Sequence, residues 1–314
     1  MALISDKTSI LLNLFLPQRK TPNLKHAIPE KDKNLKGKTI VFTGGTDGMG
    51  RVAIDMLYKM GAHIVLLGRN QERGNEIINA LKNTEGNGSA SFQVCDLSSM
   101  DSVKSCANSI LNDYEKIDIL VNCAGVNKPN KVITKDGFEL HWAVNYLGLY
   151  LLTNLLLEPL KKPGHARIVN LVTNIAFVEK IDFKEIESKL DFATDEPYTE
   201  SKIALSMFSI ELAEQLKNEG ITVNYLHPGN IKSSLLRHLT GMEKMMARII
   251  VRMASPTEVG ADRVVRLAIS SAFDNITGTY LAEDTIKPPH KEAQIESKRK
   301  HIEQITRKAL AKWL

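Results

Sequence analysis

The sequence predicts one α/β domain built on a doubly wound parallel sheet of about seven strands, with helices on both faces. Three observations predict it. Short apolar, β-branched runs recur along the chain, separated by stretches of about a dozen residues with helical periodicity. Strands connected in that way pair in parallel through right-handed crossovers. The run His63-Ile64-Val65-Leu66-Leu67 is apolar without alternation, as in a strand covered on both faces. The run before it, Thr39-Ile40-Val41-Phe42-Thr43, leads straight into a glycine-rich turn and then a helical stretch.

Composition fits that size of fold. The chain has 314 residues, 43% hydrophobic and 25% charged, enough for a full core in one domain with extensions. We divide it into an N-terminal extension (1–37), a main domain (38–290) with a lid-like segment at about 233–254, and a C-terminal amphipathic helix (291–314). The net charge is +5. The basic surplus gathers at Lys298-Arg299-Lys300 and Arg307-Lys308, without interleaved aromatics, which argues against nucleic-acid binding. Cys95, Cys106 and Cys123 form no CxxC or Cys/His pattern. That argues against a disulfide framework and a metal site, and for reduced thiols in a cytoplasmic protein. Ser9 to Leu16 is apolar but too short to span a bilayer, and Asn13 interrupts it. A short helix packed on the body is its first reading, and a peripheral membrane contact the second.

The first strand, Thr39–Thr43, precedes Gly44-Gly45-Thr46-Asp47-Gly48-Met49-Gly50, and Arg51 to Met60 continues as a helix. Glycines let the backbone turn tightly and approach a pyrophosphate, and a helix N-terminus offers free N–H groups and a positive dipole end. The second strand ends in Gly68-Arg69-Asn70. An arginine at this point accommodates the 2′-phosphate of NADP(H), where an acidic residue would favour NAD. Arg51 adds positive charge, and Asp47 argues mildly the other way. Asn70 to Leu81 reads as a helix, Ser91 to Cys95 as a strand, Ser99 to Tyr114 as a helix and Asp118 to Asn122 as the fourth strand. Asp96, just past the third strand, is placed either to touch an adenine or to cap the helix near Ser98. Glu139 to Leu160 reads as one long apolar helix, with Asn145 an amide in an apolar face that needs partners. Arg167 to Thr173 is the fifth strand. Residues 174–197 form a long polar connection, of the kind that is usually functional. A helix then runs from Tyr198 to about Glu219, and Ile221 to Leu226 is the sixth strand, closing in His227-Pro228-Gly229.

Tyr198 and Lys202 stand one helical turn apart and share a face. A cation beside a phenol favours the phenolate, lowering a reference pKa of about 10 by about 1–3 units. A tyrosine so tuned exchanges protons with an alcohol near neutral pH.

Taken together, Thr43-Gly44-x3-Gly48-x-Gly50, Asn122-Cys123-Ala124-Gly125, Asn145, Tyr198-x3-Lys202 and Pro228-Gly229-Asn230-Ile231-Lys232-Ser233 resemble the short-chain dehydrogenase/reductase family in order and spacing. The similarity covers about residues 37–285. The Leu67-Gly68-Arg69-Asn70 step, the long segment before Tyr198 and the C-terminal extension look like the retinol dehydrogenase and protochlorophyllide reductase branch. The resemblance implies a Rossmann-type fold and an NADP(H)-dependent oxidoreductase acting on CH–OH/C=O. Tyr198 would be the general acid/base. Lys202 would hold the nicotinamide ribose and depress the tyrosine pKa, and Asn145 would anchor a relay water. Thr173 stands where the family carries a substrate-orienting serine. Its hydroxyl keeps the same donor and acceptor capacity, while its methyl restricts the rotamer. Cofactor contacts would come from Gly44, Thr46, Gly48, Met49, Gly50, Arg69, Asp96, Leu97, Asn122, Ala124, Gly125, Tyr198, Lys202, Pro228, Gly229, Ile231 and Ser233.

Leu235 to Met253 carries Met242, Met245, Met246 and Met253 on a helical pattern. It reads as an adaptable lid over a hydrophobic carbonyl or alcohol substrate, or alternatively as core or a homodimer face. The tail, with Ile295, Ile302, Ile305, Leu310 and Trp313 among basic residues, reads as packed on the body, with membrane contact as the second reading. A cofactor-binding scaffold without catalysis is the alternative to the enzyme.

Overall fold

The computed structural model describes residues 19–173, 180–232 and 254–314. The N-terminal apolar run, Ser233 and the methionine-rich segment lie outside the described residues. Among the described residues, eight strands form one sheet in the order β3-β2-β1-β4-β5-β6-β7-β8. They are β1 (Thr39–Thr43), β2 (His63–Gly68), β3 (Ser89–Val94), β4 (Ile119–Asn122), β5 (Ala166–Leu171), β6 (Ile221–His227), β7 (Tyr280–Ala282) and β8 (Thr285–Ile286). The first seven are parallel, and β8 folds back antiparallel on β7. The sequence reading of about seven strands missed β8. It is a two-residue strand behind a turn in which Glu283, not a glycine, takes φ +58°, so no familiar turn signature announces it.

Side-chain alternation divides the core in two. Val41 faces one side of the sheet and Ile40 and Phe42 the other, all fully buried. The Ile40 face packs under α1 (Gly48–Lys59), α2 (Gln71–Lys82) and α8 (Thr257–Ile269). The Val41 face packs under α3 (Met100–Asp113), α4 (140–155), α7 (Pro197–Gln215) and α9 (Glu296–Leu310). Helix α4 is not the uniform helix expected from 139 to 160. It joins Leu140–Trp142, a π-helical turn at Ala143–Leu147 and Gly148–Leu155, and α5 (Leu157–Lys161) follows. A π-turn accommodates one extra residue and has no composition signature. The expected connection at 174–197 likewise contains a short helix, α6 (Phe183–Lys189), started by Asp182 accepting from the Glu185 N–H.

Helix α7 begins with Pro197 in its first turn, where the missing N–H costs nothing. It is buried on nearly every face between sheet, α4 and α9. The C-terminal helix packs on the body as the first reading expected, except that Ile295, just before it, is 41% exposed. Ile302, Ile305, Leu310 and Trp313 are buried, and Arg299 reaches Glu211 of α7 at 2.6 Å. No helix among the described residues is long and apolar enough to cross a membrane.

Strand order reverses direction between β1 and β4, so the loops leaving their carboxyl ends diverge and open a crevice. Every site described next lies at those ends.

Candidate active site

Two loops meet at the switch point. Gly44 (φ +76°) follows β1, and a Cβ built on it would stand 2.6 Å from the backbone nitrogen of Ala124, after β4. A Cβ on Gly50 would meet the Gly44 carbonyl oxygen at 2.2 Å. Only glycine permits either approach. Gly48 takes φ +56° with nothing within 4 Å of its missing Cβ, so this backbone faces open space. The Thr43 hydroxyl accepts from the Ala124 N–H at 3.2 Å and holds the two loops together. Asp47 caps α1, accepting from the Gly48 N–H at 2.8 Å. The cradle of open backbone at a helix N-terminus fits a pyrophosphate.

Thr46 reaches Gly68 with its methyl, and Met49 and Ile231 both border Gly260. Arg69 is exposed at the end of β2, while Asn70 caps α2 through the Arg73 N–H. Arg51 pairs with Asp55 on its own helix. Asp96 accepts from the Ser98 N–H and hydroxyl at 2.9 and 2.7 Å, and Ser99 caps α3. The capping alternative for Asp96 thus applies to the turn before the helix. The Leu97 carbonyl lies against Gly148, where a Cβ would come within 2.6 Å. Asn122 donates to Thr153 (3.0 Å) and Asn170 (2.8 Å), and Asn170 donates to Ser209. This buried chain ties β4 to β5, α4 and α7. At β6, the Pro228 carbonyl accepts from buried Arg263 at 2.6 Å, and Gly229 (φ +88°) has no room for a Cβ beside that guanidinium. Asp284 binds both Arg263 and Arg266, which hold its carboxyl well below the usual range.

Of the expected catalytic residues, Tyr198 lies beside Thr173, and Lys202 and Asn145 meet at Gly125. The Thr173 hydroxyl lies beside the Tyr198 phenol and favours its ionised form. Lys202 donates to the Leu171 carbonyl at 2.9 Å. A Cβ on Gly125 would lie 3.3 Å from both Lys202 Nζ and Asn145 Oδ1, so the lysine, the amide and the β4 loop converge there. The Asn145 amide accepts from Val126 N–H (2.8 Å) and donates to the Val126 carbonyl (3.1 Å) and Ser201 (3.3 Å). Those are the partners a buried amide requires.

The electrostatics correct one expectation. Burial pushes the Tyr198 phenol up, outweighing the opposing hydrogen bond from Thr173. Burial also brings the Lys202 ammonium down to about 8. The expected depression of the tyrosine by the lysine does not appear in these surroundings: burial raises the phenol, and Thr173 alone opposes it.

Two further residues border the site and escaped the sequence reading. Glu139 and His141 are buried, bonded to one another at 2.8 Å, and the His141 ring stands edge-to-face against Tyr198 at 6.1 Å between centroids. An acid and a histidine two apart at the start of an apolar helix was the available signal.

A family model described as short chain dehydrogenase matches residues 38–244. Retinol dehydrogenase 13 of Mus musculus is 33% identical over 277 residues, covering 86% of this chain and 82% of that protein. Polyprenol dehydrogenase of Homo sapiens is 30% identical over 252 residues, covering 78% and 76%. The crystal structure of L-sorbose reductase from Gluconobacter frateurii, complexed with NADPH and L-sorbose, shares the fold with a TM-score of 0.64 and 23% identity, over 80% of this chain and 96% of that one.

Proposed function

The chain belongs to the short-chain dehydrogenase family, and from that premise we propose that it interconverts a hydrophobic carbonyl compound and its alcohol with NADP(H). The observation that supports this reading is the meeting of Lys202 and Asn145 beside Gly125, after β4, with Tyr198 next to Thr173 just past β5. When bound, the nicotinamide supplies or accepts the hydride. Tyr198 gives the proton to the substrate oxygen in reduction and takes it back in oxidation. The Thr173 hydroxyl shares that oxygen and orients it. Lys202 binds the cofactor ribose, and Asn145 holds a relay water. Gly44, Thr46, Gly48, Met49 and Gly50 cradle the pyrophosphate. Arg69 takes the 2′-phosphate, and Asp96 and Leu97 border the adenine. Pro228, Gly229 and Ile231 border the nicotinamide, Ala124 and Gly125 contact the cofactor nearby, and Asn122 chiefly fixes the central strands beneath them. Residues 38–290 make up the catalytic unit.

The curated relatives are named for retinol and polyprenol, both isoprenoid alcohols. That supports a long apolar alcohol or aldehyde as substrate. The test is a panel of lipophilic aldehydes, ketones and alcohols assayed with NADPH and NADH, beside Tyr198→Phe. Turnover that Tyr198→Phe abolishes is the expected result. Cofactor binding with no turnover of any member would leave a dinucleotide-binding scaffold instead.

A further inference from the structure

The pair Glu139–His141 is built too specifically to be filler. The Glu139 carboxylate is fully buried and receives three donors. His141 N–H (2.7 Å) and Trp142 N–H (3.2 Å) bind one oxygen, and His141 Nδ1 binds the other at 2.8 Å. An ionised carboxylate only accepts, so against Oε1 it is Nδ1 that carries the imidazole hydrogen. On the far edge of the ring, His141 Nε2 faces the Lys128 N–H at 2.9 Å. A backbone amide only donates, so Nε2 presents a lone pair. The two sides agree on one species, the neutral Nδ1–H tautomer.

What that ring holds in place matters for the reaction. His141 and Asn145 are four residues apart, on either side of the start of the π-turn. Between them they bind the backbone of Val126 and Lys128, immediately after Gly125. The same imidazole packs edge-to-face on the Tyr198 ring, with 79° between planes. One side chain therefore touches both the β4 loop and the tyrosine.

We propose that His141, oriented by Glu139, is a positioning residue that holds Tyr198 and the Gly125–Lys128 loop in the geometry proton transfer requires. The inference rests on the reading given under Proposed function. It acts through placement, and small displacements of a reacting group are costly.

The test has two arms on the full-length protein. In the first, nitrogen NMR of histidine-labelled protein reads the His141 tautomer, its signal assigned by its loss in His141→Gln. The Nδ1–H form is expected at pH 7.5, and an Nε2–H or doubly protonated ring would overturn the proposal. The second arm is kinetic. His141→Leu removes the acceptor for Lys128 N–H and should lower kcat by about tenfold or more, with KM for NADPH within about twofold. His141→Gln keeps an acceptor oxygen and should recover most of that loss. An unchanged kcat in His141→Leu, or no recovery in His141→Gln, refutes the positioning role. If His141→Leu does not fold, the tautomer measurement still decides. Wild-type turnover that survives Tyr198→Phe would sink the functional reading instead, and would leave the tautomer result untouched.

Discussion

Lys202 donates from Nζ to the Leu171 carbonyl oxygen at 2.9 Å, which fastens helix α7 to the end of strand β5, two residues before Thr173. The ammonium is 5% exposed, and its pKa falls to about 8 because burial disfavours the charge. An unfolded lysine titrates near 10.4. Between those values the unfolded chain binds more protons, so this group makes stability rise with pH from about 8 to about 10.4. Below 8 its full cost is present. Lys202→Met should therefore abolish activity yet stabilise the fold at pH 7, by up to about 3 kcal/mol. Urea melts at pH 7 and pH 10.5 check it, and the gap should shrink at the higher pH. A gap independent of pH would contradict the assignment.

Glu200 gives the opposite sign. Its carboxyl is 4% exposed, one oxygen has no partner among the described residues, and burial raises its pKa to about 7. From about 4.3 to 7 the folded chain binds more protons than the unfolded one, so this group makes stability fall as pH rises through that window. Glu200→Gln should be stabilising at pH 8, by about 1–3 kcal/mol, and near neutral at pH 5. Equal effects at both pH values would refute it.

How far these features were legible in the sequence differs by kind. The strands β1 and β2, the glycine turn and the Tyr198 helix follow from local chemistry, namely apolar runs, glycine and Pro197. The partners of Asn145 were demanded by burial, but Val126 and Ser201 could not be named, since they arrive from the loop after β4 and from α7. The sign of the Tyr198 shift depends on how dry the site is, a property of packing rather than spacing. Glu139 and His141 carry no motif, and only the fold shows that Glu139 holds His141 while His141 faces Lys128 and Tyr198.

Arg69 is exposed at the end of β2, free of burial costs. If it binds the 2′-phosphate, each charge-assisted bond is worth about 1.5–3 kcal/mol. Arg69→Ala should then cut the ratio of kcat/KM for NADPH over NADH by about tenfold or more, with stability unchanged. An unchanged ratio would refute the NADP(H) assignment.

The glycine loop separates two kinds of glycine. Gly44→Ala drives a methyl to 2.6 Å from Ala124 N and keeps a positive φ, whereas Gly48→Ala enters open space and bears only the φ penalty. Left-handed alanine costs about 1–2 kcal/mol. Gly44→Ala should cost more than that, lower the melting temperature further and abolish cofactor binding. Titration of NADPH by fluorescence and thermal melts of both variants give the comparison. Equal destabilisation would show that the loops at the switch point do not constrain each other.

The C-terminal helix offers the sharpest energetic test. Arg299 is 7% exposed and bonds Glu211 at 2.6 Å, Glu214 at 3.3 Å and the carbonyls of Ala293 and Gln294 at 3.1 Å. Glu211 is itself buried, on the same helix that bears Tyr198 and Lys202. Arg299→Met leaves that carboxylate buried without its cation, which costs about 3–5 kcal/mol. Glu211→Met strands the guanidinium less severely, because Glu214 and two carbonyls still hold it. The double variant removes both charges and should be more stable than the sum of the single losses predicts, by about 1–3 kcal/mol. Recovery should be partial, since the Ala293 and Gln294 carbonyls lose their donor in either case. Strict additivity would mean that the two side chains do not interact, and that α9 is held to α7 by its apolar face alone.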